Sequence, residues 1–412
     1  MINFCEKIRA KHKTLCSVPD GKLVFGLYKN THEINAEEWN SVIGGQHFFL
    51  QLNYLSLVEK LHSPAIYFRY IIVYKNKVPV FVTYFQINDF TADVFGDLLD
   101  SQFASVQSKR KRLFAHYLDH QKTNVVMRLL TCGNNFISGE NGMAFKDLTA
   151  AEAFDVLEKV VDVIGREEKL RGKISATLIK DFYSTTLTKH KGLDEEKFTS
   201  FSVEPNMIVD IPEGIKSLNE YIALFSKKYR NRAKGIFKAA ATIVRKELSE
   251  QEVEQYDKEI YQLYEQVYEH AKFKLVKLGA RYFTETKKTF SQQFSVHGFF
   301  LNNKLIAFDS GFLPGNNTVE AHFIGFDYKL NKDFELYQNI LYSYIDCALQ
   351  NNCKHINLGR TASEIKSTVG AKAQDLTCYV RPQNTVSKMA LSPLVSFLQP
   401  TEWVPRNPFK ED

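Results

Sequence analysis

Apolar and polar positions alternate along residues 70–87 (YIIVYKNKVPVFVTYFQI), and the same pattern returns along residues 296–313 (VHGFFLNNKLIAFDSGFL). Each stretch predicts two strands joined by a polar Asn/Lys turn. The second strand is expected to start directly after a Lys in both, which puts Lys77 and Lys304 in the same place. The elements beyond each hairpin repeat as well. VVMRLLTCG (125–133) predicts a strand, NNFISGENG a loop, and AEAFDVLEKVVDVIGREE a helix with Phe154, Leu157, Val160, Val161 and Ile164 on one stripe. KISATLIKDF then predicts a strand, with Ile174, Ala176 and Leu178 alternating.

The second half answers element by element. NTVEAHFIGFD (317–327) predicts a strand and YKLNKDFE a loop. ELYQNILYSYIDCALQNN predicts a helix with Tyr337, Ile340, Leu341, Tyr344, Ile345 and Ala348 on one face. HINLG (355–359) predicts a strand. TASEIKSTVG predicts a short helix with Thr361 or Ser363 as N-cap and Gly370 as its stop. LTCYVRP (376–382) predicts a last strand. The order is β-β-β-α-β twice, so each half is expected to form a mixed α/β (α+β) sheet with a βαβ crossover. NMIVDIPE (206–213) predicts a joining strand. The expected division is residues 1–205, with an insertion near 89–123 that includes SKRKR (108–112), and residues 206–412.

Composition narrows the class. The chain has 412 residues, enough for two or three domains, and 44% hydrophobic residues, enough for buried cores. Fifty-three Lys and Arg against 47 Asp and Glu leave a net charge of +6, too mild for a purely electrostatic nucleic-acid binder. Six cysteines lie scattered without metal-ligand spacing, the first residues hold no apolar core of a signal peptide, and no apolar run approaches the ~20 residues of a membrane span. The expectation is a reduced, soluble, cytoplasmic protein with no metal. Thirty-two Phe and 20 Tyr against 2 Trp fit an aromatic core, with room for an apolar groove.

Residues 226–246, SKKYRNRAKGIFKAAATIVRK, read as a basic amphipathic helix. Lys227, Arg230, Lys234 and Lys238 recur at helical spacing, and Ala233, Ile236, Phe237, Ala240, Ile243 and Val244 form the apolar stripe. Like charges at that spacing repel, which points to an anionic ligand. Three anions fit: the phosphates of CoA or an acyl carrier protein, tRNA, and an anionic membrane surface that would make the protein peripheral to the membrane. The alternative is a solvated face over a buried stripe. Leu394, Val395, Phe397 and Leu398 in the proline-broken tail form a second, weaker membrane-touching candidate.

The repeated β-β-β-α-β order resembles the GNAT acyltransferase fold. Two copies in one chain resemble the tandem arrangement of the bacterial Fem-type peptidoglycan aminoacyl transferases. Residues 325–371 carry most of the likeness: a strand, a helix, a strand ending in Gly359, and a helix with Lys366 before Gly370. The resemblance implies N-acyl transfer from a thioester donor, acyl-CoA or acyl carrier protein, to an amine acceptor, with the second half as the expected catalytic copy; the aromatic complement and the basic helix point to a long-chain or carrier-bound donor, in lipid or cell-envelope synthesis. Alternatives are an aminoacyl-tRNA-dependent transferase and a non-catalytic binding protein of the same fold. One departure concerns the phosphate loop that such enzymes place before the crossover helix. The second half has YKLNKDFE there, without glycine. The first half has CGNNFISGENG, whose Gly133, Gly139 and Gly142 would let a backbone approach phosphate.

Acyl transfer to an amine needs a base, a polarising donor and a proton for the leaving group. Glu320 and His322 alternate on one strand, the one that often carries the base in the GNAT group, and a Glu–His couple suits proton removal. Asp309 sits mid-strand and is expected to face the same cleft or to mark a bulge near Gly311. Tyr337 is a candidate proton donor or a core aromatic. Arg360, Glu364 and Lys366 follow a strand end, where ligands of α/β sheets gather. Lys180 and Asp181 occupy the matching strand end of the first half.

Overall fold

The computed structural model describes residues 15–17, 23–45, 47–91, 125–189, 192–271, 276–384, 387–388, 391, 395 and 398–410. The SKRKR run, Leu394 and Phe397 lie outside the described residues.

The first half runs β1 (Leu15–Ser17), β2 (Leu23–Tyr28), α1 (Ala36–Ile43), α2 (Leu52–His62), β3 (Ile66–Lys75), β4 (Val78–Thr91), β5 (Val125–Cys132), β6 (Met143–Phe145), α3 (Ala150–Glu167), β7 (Ala176–Tyr183) and α4 (Ser184–Lys189). Then β8 (Thr199–Asp210) leads to α5 (Leu218–Ala223), α6 (Lys227–Ala239), β9 (Val244–Glu247), α7 (Glu250–Gln255), α8 (Asp257–His270) and α9 (Tyr282–Phe290). The second repeat comprises β10 (Phe294–Leu301), β11 (Lys304–Phe312), β12 (Thr318–Phe326), α10 (Tyr328–Phe334), α11 (Leu336–Gln350), β13 (His355–Asn357), α12 (Ser363–Ser367) and β14 (Lys372–Pro382).

The described chain forms two compact units: residues 1–203 with 375–400, and residues 204–374 with 401–412. In the first, β1 to β5 pair antiparallel in sequence order, β7 adds parallel to β5, and β14 adds antiparallel to β7 from Leu376↔Tyr183 to Pro382↔Ala176. In the second, β9 to β12 pair antiparallel, β13 adds parallel to β12, and β8 adds antiparallel to β13. Each unit is thus completed by a strand from outside its own repeat. β8 directly succeeds the first repeat but flanks β13, and β14 ends the second but flanks β7.

The crossover helices form because their apolar stripes match a helical period. In α3 the whole expected stripe is buried, and Thr149 with Glu152 closes the N-terminus in a capping box. In α11 the expected face is buried from Ile340 to Ala348, and it packs over β11 and β12. The hairpins turn on residues with positive φ, Asn76 and Lys77 in one and Asn302 and Asn303 in the other. Lys77 therefore matches Asn303, while Lys304 is the first residue of β11, so the two lysines are not equivalent.

Three further elements differ from the sequence reading. The basic helix stops at Ala239 because Arg245 and Lys246 belong to the edge strand β9, which pairs with β10. Arg245 bonds Asp346 and Lys246 bonds Glu252, so carboxylates of other elements neutralise both. YKLNKDF is a helix, capped by the Asp327 side chain on the Lys329 N–H. α12 begins after Ala362 with no side-chain cap, in place of Thr361 or Ser363.

Candidate functional site

In the second unit β12 lies between β11 and β13, a position that normally buries a strand on both faces. Yet every residue from Glu320 to Ile324 is partly exposed, with Val319 and Phe326 buried at either side. Two local causes open the strand. First, Asp309↔Ile324 and Gly311↔Ala321 are partners, so β12 carries one residue more than β11 between those pairs. Such a bulge bends its strand and re-aims side chains. The Ser310 hydroxyl donates to the Phe323 carbonyl at 2.7 Å, and the Tyr344 hydroxyl donates to the Ser310 carbonyl at 2.8 Å, which pin it. Second, β12 and β13 pair only from Thr318↔His355 to Glu320↔Asn357. Beyond that point the chain stays with β8: the Leu358 N–H donates to Met207 and the Met207 N–H to Gly359. The parallel strands part at Glu320.

Glu320 accepts a hydrogen bond from the Asn357 side chain at 2.8 Å. Burial pushes its carboxyl up to about 7, and the Asn357 bond opposes this only in part. His322 Nε2 shares a hydrogen bond of 2.7 Å with the Tyr282 hydroxyl of α9. The ring lies among Phe312, Phe323 and Phe294, and burial pushes it down to about 3, so the imidazole is neutral at working pH. Glu320 and His322 bond different partners, Asn357 and Tyr282, instead of forming the expected couple. Neither partner stands out in the sequence as a candidate. Asn357 was readable as the residue facing Glu320 once β12 and β13 are set parallel. Tyr282 lies 40 residues upstream of His322 on a helix that carries no motif.

Other candidates are drawn elsewhere. Asp309 is closed to solvent and bonds His297 Nδ1 at 2.8 Å across the β10–β11 pair, so it faces a sheet partner and not an open cleft. Tyr337 packs near Phe326, its backbone N–H donates to Asn331, and burial pushes its hydroxyl well above the usual range, which makes it a poorer acid. Lys366 is buried and donates to the carbonyls of Leu358 (2.7 Å), Gly359 (3.2 Å) and Arg360 (2.7 Å). Three acceptors use its three hydrogens, so it ties down the turn after β13 and has none left for a phosphate. Burial pushes this ammonium down to about 7, against the pull of Glu204. Glu364 pairs with Arg406 on the surface. Arg360 is half-buried in the turn that Lys366 holds.

Helix α6 runs beside α11. Arg232 bonds Gln338 and Phe237 meets Tyr342, pairs that advance together, so the two helices are parallel. Lys227 and Lys234 are exposed, whereas the Arg230 guanidinium donates to the Phe225 carbonyl. The basic end of α6 therefore lies beside the start of the crossover helix.

The first unit has the matching position. β5 and β7 run parallel as far as Cys132↔Ile179, so Cys132 stands where Glu320 stands in the second. Its thiol is pushed up to about 12 by burial. A cavity of about 260 Å³ opens there, lined by Cys132, Glu140, Phe154 and Lys180 among others. Gly133 and Gly139 have positive φ, and a Cβ on Gly133 would press on Gly142 at 3.2 Å. These glycines let the loop fold on itself. Its carbonyls at Asn134 and Ile137 accept from Lys180, which also pairs with Asp181. The loop therefore turns carbonyl oxygens to a lysine, not N–H groups to a phosphate. No group of side chains suited to a metal occurs among the described residues, and no described helix is long and apolar enough to cross a membrane.

No family model matches the chain, and no curated protein matches it. Solved structures do. A tandem GNAT protein from the clavulanic acid biosynthesis pathway aligns over 88% of this chain and 99% of its own, with 7% identity and a TM-score of 0.46. A GCN5-related N-acetyltransferase from Sphaerobacter thermophilus aligns over 88% and 98%, with 6% identity and a TM-score of 0.40. A conserved protein of unknown function from Bacteroides thetaiotaomicron aligns over 85% and 98%, with 10% identity and a TM-score of 0.47.

Proposed function

We propose that the second unit transfers an acyl group from a thioester to an amine where β12 and β13 part. The observation that carries this reading is Glu320: a carboxyl raised to about 7, on the last residue of a parallel pair, in a strand opened by a bulge. The thioester enters between the separated strands, and the amine approaches from the side of Glu320. Glu320 takes the amine proton as nitrogen attacks the carbonyl carbon. The C–S bond breaks, and the thiolate is protonated by solvent or by the proton that Glu320 has gained. A carboxylate with a pKa near working pH is suited to both directions of that transfer. His322, neutral and held by Tyr282, shapes the wall and takes no proton.

The donor's phosphates rest on Lys227 and Lys234 of α6, side chains in place of the backbone cradle that YKLNKDF does not form. A donor held by exposed charge should lose affinity as salt rises. The deciding experiment is calorimetry and turnover with acetyl-CoA, palmitoyl-CoA and acyl carrier protein. One of them should bind and be consumed by the wild type, and should bind Glu320→Gln as well while being consumed at least a hundredfold more slowly. Binding of none removes the proposal.

A further inference from the structure

The opposite end of the first unit's parallel pair holds a second concave site that the acyl-transfer reading does not use. It is a groove of about 460 Å³ between the C-terminal part of α3, the segment before β7 and the end of β14. Lys159, Arg166, Lys169, Lys173 and Arg381 line it, and Asp162 is the one carboxylate among its lining residues. Asp162 is already engaged, bonding Arg381 at 2.8 Å. Arg166, Lys169 and Lys173 are exposed and have no ion-pair partner among the described residues.

A helix C-terminus favours a cation or two through its dipole. It does not explain Arg166, Lys169 and Lys173 gathered around one hollow with no carboxylate of the described residues bonded to any of them, where like charges raise one another's cost. Gly165 is an independent sign. It stands inside α3, where glycine weakens a helix relative to alanine. A Cβ built on it would meet nothing within 4 Å. No packing demand keeps the position bare, and the missing side chain leaves the groove floor open to a ligand.

We propose that this groove binds a compact polyphosphate or phosphomonoester, its oxygens taken by Arg166, Lys169 and Lys173 with Gly165 as the floor. A bounded hollow of this size suits a small ligand. A nucleic acid would call for a longer basic track.

The test is calorimetry of the full chain with inorganic tripolyphosphate, beside flotation with phosphatidylcholine vesicles containing phosphatidic acid. Saturable one-to-one binding of tripolyphosphate is expected, weakened at least tenfold by Lys169→Glu with Lys173→Glu. Gly165→Ala should raise the melting temperature yet weaken binding several-fold, a split that mere loss of structure cannot produce. Vesicle binding without tripolyphosphate binding, lost in the same double variant, assigns the phosphate to a lipid headgroup. No binding to either probe, or binding that the double variant leaves unchanged, overturns the proposal. So does preferential binding of single-stranded RNA that survives the double variant. Because these residues belong to the first unit and Glu320 to the second, failure here leaves the acyl-transfer reading standing, and failure of thioester binding leaves this one standing.

Discussion

At Glu320 the chemistry and the cost of folding point in opposite directions. A carboxyl raised in the folded state holds its proton more tightly there than in the unfolded chain. Stability is therefore lost as pH rises from about 4.5 through about 7. Glu320→Gln should raise the melting temperature at pH 8 and leave it little changed at pH 4, as scanning calorimetry would record. The same substitution should lower turnover about 10²–10³-fold. In the wild type, turnover should climb with pH and level off above about 7, because only the carboxylate takes a proton. Lys366 makes the contrasting case of a charge buried for structure. Lys366→Met leaves the Leu358 and Arg360 carbonyls without their lysine donor and should cost about 2–4 kcal/mol in urea unfolding, with turnover reduced through the loosened turn.

Among the elements, α8 sits hard against β12. A Cβ on Gly325 would come within 2.5 Å of α8 backbone at Leu263 and Tyr264, and 2.4 Å from the Phe308 ring. Gly325→Ala must lift the helix from the strand and should cost about 2–3 kcal/mol, readable as a lower melting temperature. Element order was legible in the sequence because period and turn chemistry are local. The stripes of α3 and α11, the Asn-rich hairpin turns and the succession of strands and helices along the chain all arise from residues a few positions apart. Where local signals ran out, contacts between elements decided. Nothing in TIVRK distinguishes the end of a helix from an edge strand until β10 offers its hydrogen bonds and Asp346 its charge. The site divides the same way. Glu320 and His322 were visible as titratable groups on an apolar strand. Their partners Asn357 and Tyr282, the bulge that opens the strand, and the commitment of Lys366 to three carbonyls arise only when distant segments meet.

For the whole molecule, the repeat is visible along the chain, but the units do not coincide with it. The sequence pattern places LTCYVRP with the second repeat, whereas residues 376–382 complete the first unit's sheet against β7. Val380→Pro, which breaks the ladder between β14 and β7 at Leu178, should consequently lose protection in β7, measured by hydrogen exchange, while β10 to β12 of the second unit keep theirs. The exchange of β8 and β14 also bears on how the protein comes into being. A nascent chain that has delivered only its first 203 residues lacks the strand that closes its own sheet, and must wait until residues 375–382 leave the ribosome. Assembly in order of emergence is closed to it. The second unit waits longer still, for residues 401–412, so neither half is complete until the last stretch of the chain has been made.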